Sequence, residues 1–130
     1  AHPDETPLFP YLLSYEGEQR SERVLRQIEA DLPRYCVEQN DLLVPLRYLN
    51  THPGESDAII CAALESIFDL PRGIACGIVD DWGQEFITPA IRRSLIKARQ
   101  LSNNDVVTAR IDCLLAGKHF DIGKFLNKRK

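Results

Sequence analysis

The stretch DAIICAALESIF, residues 57–68, decides the fold, because it carries seven consecutive apolar residues from Ala58 to Leu64. Ser56 precedes it, and serine is a preferred helix cap whose hydroxyl accepts a backbone N–H. A helix that is apolar on every side is buried in a folded protein. The sequence therefore predicts a central helix over 57–68, with the other elements packed around it.

Similar start signals recur along the chain. Asn40-Asp41 and Asn104-Asp105 repeat the cap-and-acid pattern of Ser56-Asp57, and Thr88-Pro89 joins a cap to a proline at the first helical position. The starts are unevenly spaced and the sequences between them do not match, which argues against a solenoid of repeats. The predicted helices cover 21–32 (or 18–32), 41–49, 57–68, 71–82, 89–101, 105–116 and about 121–128.

These elements predict an all-α fold, because no segment shows the strict alternation of a strand. We expect a compact, irregular bundle of five to seven helices around helix 57–68. One position conflicts with its helix: Pro45 falls inside the first turns of 41–49, so that helix can also start nearer Val44. Helix 71–82 contains Gly73 and Gly77, each costing about 1 kcal/mol against alanine. We expect a neighbouring backbone to approach these glycines closely, at Ala62 and Ala63.

Length and composition fit one domain. With 130 residues, 44% of them hydrophobic and 27% charged, the chain can bury a core and lies outside the disordered and fibrous classes. We interpret residues 1–17 as an extended, proline-rich arm and residues 18–130 as a single helical domain. No apolar run reaches the about 18 residues of a membrane span, and the N-terminus lacks a signal-peptide pattern. We therefore expect no membrane partner and an intracellular location, cytoplasmic or nuclear.

Charge is distributed unevenly along the chain. Residues 1–91 hold 6 Lys/Arg and 16 Asp/Glu, a formal charge of −10. Residues 92–130 hold 10 Lys/Arg and 3 Asp/Glu, a formal charge of +7. Such asymmetry indicates a charged partner, because complementary charge steers association and fixes orientation. The acidic part and the basic third can also pair between two copies, so we include self-association among the expectations.

The basic third supplies the candidate binding face. Helix 89–101 places Ile91, Leu95 and Ala98 on its predicted inner side, which turns its cations outward. The leading interpretation is a non-catalytic domain that binds the acidic surface of another protein. The alternative is binding of nucleic acid, although no helix-turn-helix signature or interleaved aromatic platform accompanies the charge. The predicted basic face comprises Arg92, Arg93, Lys97, Arg99, Arg110, Lys118, Lys124, Lys128, Arg129 and Lys130.

A second candidate surface lies at the turn between helices 71–82 and 89–101. Asp80 and Asp81 end one helix and Arg92 and Arg93 begin the next, so all four charges oppose the helix dipoles. An antiparallel turn brings the two pairs together, and we predict an interhelical salt-bridge cluster. The alternative interpretation is a contact surface made by Asp80, Asp81, Trp82 and Phe86, with the two aromatic side chains as anchors.

Motifs for catalysis, metal binding or cofactor binding are absent from the sequence. Cys113 and His119 are poorly spaced for zinc, and no phosphate-binding glycine loop occurs. The four cysteines lie in apolar helical patterns, which predicts reduced, buried thiols rather than disulfides or nucleophiles. We therefore expect no cofactor and no metal, and we keep as a residual alternative to a non-catalytic domain an enzyme that uses scattered residues such as Cys76, His52 and Asp81.

Overall fold

The computed structural model describes residues 15–128, with the side chains of residues 21–127, and this part of the chain is helical and contains no strand. Residues 1–14 of the predicted arm therefore lie outside the described residues. Two short 3-10 helices, Leu32–Tyr35 and Gln84–Phe86, join longer elements. The α-helices are α1 Tyr15–Ala30, α2 Leu43–Asn50, α3 Asp57–Leu64, α4 Asp69–Trp82, α5 Pro89–Leu101, α6 Asp105–Leu115 and α7 Ile122–Lys128.

The helices pack as a bundle with α3 at its centre, as predicted. Helix α3 contacts α1, α2, α4 and α5, whereas α6 packs against α4, α5 and α7. Ile59, Ile60, Ala63 and Leu64 of α3 are fully buried. The helix is not enclosed on every side, however, since Ala58 is exposed. The buried side therefore faces four neighbouring helices, and the side of Ala58 faces solvent.

Helix α3 ends at Leu64, earlier than the predicted residue 68. The chain turns over residues 65–68, where the Ser66 hydroxyl accepts the N–H of Phe68 at 3.0 Å. Arg72 then donates to the Ser66 carbonyl at 2.7 Å, which holds this turn against α4. Helix α4 begins at Asp69, two residues before the predicted Pro71, which is tolerated because it lies in the first turn.

The starts of the first two helices also differ from the prediction. Helix α1 begins at Tyr15, so residues 15–17 of the predicted arm are helical, and it ends at Ala30. Helix α2 begins at Leu43, next to the alternative start near Val44 and not at residue 41. The reason is that Asp41 closes the preceding loop: its carboxylate accepts the N–H groups of Val37 and Glu38 at 3.0 and 2.9 Å.

The remaining caps form as predicted. Ser56 accepts the N–H of Ile59 at 3.2 Å, and Thr88 accepts that of Ile91 at the same distance. The amide oxygen of Asn104 accepts two N–H groups of the first turn of α6. Gly117 follows α6 with a φ of +75°, the left-handed conformation common after a helix. These contacts lie within a few residues of each cap, which is why the sequence predicts them.

The glycines of α4 face a different helix from the predicted one. A Cβ on Gly73 would lie 3.6 Å from Val107, and one on Gly77 would lie 3.3 Å from the guanidinium of Arg110. Both neighbours belong to α6, so the prediction of contact with Ala62 and Ala63 of α3 is wrong. Gly77 makes room for the long side chain of Arg110 to cross α4. The spacing of the glycines along the sequence does not indicate this requirement.

Candidate protein-interaction surface

Helix α5 is amphipathic, and its inner side is the predicted one. Ile91, Leu95 and Ala98 are fully buried against α3 and α6. The fourth buried residue, Ser94, was not predicted. The outward side consists of exposed residues, which are Arg92, Arg93, Ile96, Lys97, Arg99 and Gln100.

One flank of this outward side is fastened to α3. Glu65 is the first residue after α3. Its carboxylate accepts a hydrogen bond from the Ser94 hydroxyl at 2.7 Å and forms an ion pair with Lys97 at 3.1 Å. The hydrogen bond from Ser94 lowers the pKa of Glu65, and the contact with Lys97 lowers it further. The sequence missed this link because Glu65 and α5 are far apart along the chain. As a result, Lys97 is partly neutralised and its position is fixed.

The other flank is fastened to α6. Nε of Arg99 lies 2.5 Å from Oδ1 of Asp112, and the hydrogen bond to this carboxylate raises the pKa of Arg99. Arg92 donates to the carbonyl of Leu115 in the last turn of α6 at 3.2 Å. That carbonyl is neutral, so Arg92 keeps its full charge, and a cation at a helix C-terminus is favourable.

The middle of the outward side is an apolar and cationic strip, which we call the α5 strip and define as Arg93, Ile96 and Gln100. Ile96 is 45% exposed although it is large and apolar. Among residues 21–127, whose side chains the structure describes, no carboxylate forms an ion pair with Arg93. The sequence signal for Ile96 was available, since it falls out of phase with Ile91 and Leu95 on the helix.

The predicted salt-bridge cluster between Asp80-Asp81 and Arg92-Arg93 is wrong. The side chain of Asp80 is only 5% exposed, and its carboxylate lies 3.5 Å from Nε of Arg110 and 2.9 Å from Nδ1 of His119. Asp81 is exposed on the other side of α4. The cation that offsets the negative end of α4 therefore comes from α6, because the 3-10 helix after α4 leaves α5 beside α3 and α6 instead.

The aromatic residues of the turn pack inward. Trp82 is 6% exposed and donates its indole N–H to the carbonyl of Leu49 at 2.9 Å. Phe86 is half-buried; its ring packs edge-on to Trp82 with a centroid distance of 5.9 Å and also covers Gly54. Both side chains connect α4 to α2 and its following loop. An anchor for a partner must be accessible, and Trp82 is not.

The predicted basic residues that the structure describes lie on α5, on α6, in the turn before α7 and on α7. Arg110 lies between α4 and Phe120, whose ring centroid is 5.2 Å from its guanidinium carbon. Lys118 and Lys124 are exposed beyond α6, in the turn before α7 and on α7 itself. Of the last three cations, Lys128 is described only as the end of α7, and Arg129 and Lys130 lie outside the described residues.

The four cysteines form no disulfide. Burial raises the pKa of Cys76 to about 12 and also raises the pKa of Cys61. Cys36 is exposed and Cys61 and Cys113 are partly exposed, so the prediction of buried thiols is confirmed only for Cys76. Among residues 15–128 no three His, Cys, Asp or Glu side chains are placed to hold a metal ion. In the same part of the chain no helix has the length and hydropathy that crossing a membrane requires.

Comparison of this chain with protein-family models, with curated proteins and with solved structures finds no match.

Proposed function

We propose that this domain is a non-catalytic interaction module that binds an acidic surface of another protein through the outward side of α5. The observation that carries the proposal is the α5 strip, where Arg93, which forms no ion pair with a described carboxylate, lies one helical turn from Ile96, which is 45% exposed. A protein partner can match both groups at once, with a carboxylate on Arg93 and an apolar side chain on Ile96. Arg92, which keeps its full charge, adds to the attraction.

The flanks of α5 support the proposal because they fix its geometry. Lys97 is tied to Glu65 and Arg99 to Asp112, so these side chains have already lost part of their rotational freedom. Binding that immobilises fewer side chains costs less entropy. The charge of the flanks contributes little net attraction, since each cation faces its own carboxylate.

Binding of nucleic acid is the alternative. It depends on cations that neutralise phosphates and release counterions. Lys97 and Arg99 already face carboxylates and Arg110 is engaged by Asp80, so three of the ten predicted cations are less available to phosphates. The apolar Ile96 in the middle of the strip has no favourable partner on a phosphate backbone. These contacts favour a protein partner over nucleic acid.

The test uses two labelled probes of equal negative charge. One is a helical peptide in which positions rich in glutamate alternate with positions that carry leucine. The other is a single-stranded oligonucleotide. Fluorescence anisotropy at about 50 and 200 mM salt measures binding of both. We expect the peptide to bind more tightly than the oligonucleotide and Arg93→Glu to weaken the peptide about tenfold or more.

The matched control is Arg23→Glu, which makes the same charge change on an exposed position of α1. We expect the control to bind the peptide like the unaltered protein. Tighter binding of the oligonucleotide with a steep salt dependence would favour the alternative. Equal loss in both variants would reduce the effect to net charge and refute the α5 strip as the site.

A further inference from the structure

A hollow of about 390 Å³ lies between α2 and α4. Each helix lines it with two apolar side chains, Leu43 and Leu46 from α2 and Ile74 and Ile78 from α4. Leu46 and Ile78 are buried, whereas Leu43 and Ile74 are half-buried. Sites for small molecules measure about 300–1,000 Å³ and combine apolar walls with a few polar groups. The hollow therefore has the size and the walls of a site for a small molecule.

The polar groups of the hollow lie at one of its ends. The last turns of α2 and α4 meet there, because Trp82 donates its indole N–H to the carbonyl of Leu49 at 2.9 Å. Arg47 and Asn50 from the last turn of α2, and Asp81 from the last turn of α4, line the hollow. The half-buried apolar pair lies one turn earlier in α2 and two turns earlier in α4. The hollow therefore has a charged end and an apolar end.

The charged side chains at this end have no partner among the described residues. Arg47 and Asp81 are exposed on opposite walls of the hollow. Within residues 21–127 neither of them forms an ion pair or a side-chain hydrogen bond, and they do not pair with each other. The side-chain amide of Asn50 forms no hydrogen bond within the same range. Two opposite charges that face one hollow beyond ion-pair distance leave room for a ligand that carries both charges.

We propose that this hollow binds a free α-amino acid with an apolar side chain, such as leucine. The ligand carboxylate accepts hydrogen bonds from the guanidinium of Arg47, whose planar fork matches a carboxylate. The ligand ammonium group contacts the carboxylate of Asp81 and lies at the negative ends of two helices, which favour a cation. The ligand side chain lies at the apolar end, where its removal from water is favourable. This inference goes beyond the proposed function, because it uses a surface other than the α5 strip.

Amide NMR spectroscopy of the unaltered protein, titrated with leucine up to about 10 mM, tests the proposal. We expect the signals of α2 and of the last turns of α4 to shift. Arg47→Gln and Asp81→Asn should each raise the Kd about tenfold or more, because each removes one charge-assisted contact. Both side chains are exposed, so both variants should fold. The matched controls Arg23→Gln and Glu38→Gln remove the same charges at exposed positions of α1 and of a loop, and they should leave the Kd unchanged.

A series of ligands identifies the groups that the hollow recognises. Isocaproate lacks the ammonium group of leucine, isoamylamine lacks its carboxylate, and glycine lacks its side chain. We expect each of them to bind about tenfold or more weakly than leucine. Leucyl-leucine carries the same two charges further apart, so tighter binding of this dipeptide would assign the hollow to peptide ends instead. No shifted signals, shifts confined to other helices, equal binding of isocaproate and leucine, or an unchanged Kd in Asp81→Asn would each overturn the proposal.

Discussion

Oδ2 of Asp80 lies 3.5 Å from Nε of Arg110, in a position where the carboxylate is 5% exposed and the guanidinium crosses over Gly77. His119 contacts the other carboxylate oxygen at 2.9 Å. This cluster joins the negative end of α4 to α6 and to the segment that precedes α7. It replaces the pairing with Arg92 and Arg93 that the sequence predicts.

Replacing Asp80 should therefore destabilise the domain. Asp80→Ala leaves Arg110 without its carboxylate, and loss of one partner of a buried pair costs about 3–5 kcal/mol. Because the side chain of Arg110 is 28% exposed and can regain water, we expect about 2 kcal/mol, measured by urea denaturation. The neighbouring Asp81→Ala is the control and should stay within about 0.5 kcal/mol, since Asp81 is exposed. Equal effects would contradict the assigned pairing.

The two glycines of α4 should respond differently to alanine. At Gly73 the new Cβ meets Val107 at an ordinary contact distance of 3.6 Å, so the gain in helix propensity should raise the free energy of unfolding by about 0.5–1 kcal/mol. At Gly77 the Cβ meets the guanidinium of Arg110 at 3.3 Å, which must shift against Asp80 and Phe120. We expect little or no gain there. Equal stabilisation in both variants would show that Arg110 is not held.

The stability that the contacts of Glu65 with Ser94 and Lys97 contribute should depend on pH. Ser94 and Lys97 lower the pKa of Glu65 in the folded state below its ordinary value of 4.5. The ionised carboxylate therefore stabilises the fold at pH values above 4.5. This stabilisation is lost as the pH falls through the lowered pKa. Glu65→Gln should lower the free energy of unfolding by about 1 kcal/mol near neutral pH, a figure that is reduced because Glu65 is partly exposed. In acid, where the carboxylate is protonated, the substitution should have no effect.

The measurement is the difference in unfolding free energy between Glu65→Gln and the unaltered protein, from about pH 7 to about pH 3. Glu38→Gln is the control, because the side chain of Glu38 is exposed in a loop. A difference that stays constant with pH would show that the Glu65 carboxylate acts by packing rather than by charge.

The thiols should react in the order of their exposure. Cys36 is exposed, although partial burial raises its pKa, whereas burial raises the pKa of Cys76 to about 12. Iodoacetamide should therefore label Cys36 in the folded protein, faster at pH 9 than at pH 7, and Cys76 only after unfolding. Peptide mass spectrometry measures both rates. Labelling of Cys76 in the folded protein at the rate of Cys36 would contradict its burial.

The sequence predicts what depends on neighbours along the chain. The caps at Ser56, Thr88 and Asn104, and the buried stripe of α5, form as expected because each involves residues within one or two helical turns. The central position of α3 follows from composition alone, since a run of apolar residues has to be buried.

The errors concern contacts between residues that are distant in the sequence. Asp80 pairs with Arg110 rather than Arg92, and Gly77 faces α6 rather than α3, because the rotation of α4 about its axis is set by the whole bundle. Asp41 shows a different cause: a carboxylate before a helix can also close the loop behind it. The outward side of α5 was only partly predicted, because Glu65 and Asp112, the partners of Lys97 and Arg99, lie outside α5.

Trp82, the one tryptophan of the chain, donates to the last turn of α2 from the last turn of α4. Its fluorescence therefore reports the joining of a single pair of helices. In a stopped-flow refolding experiment, one exponential phase shared with circular dichroism would mean that the bundle closes as a unit. A fluorescence phase that precedes the recovery of helicity would mean that α2 and α4 meet first and the outer helices follow.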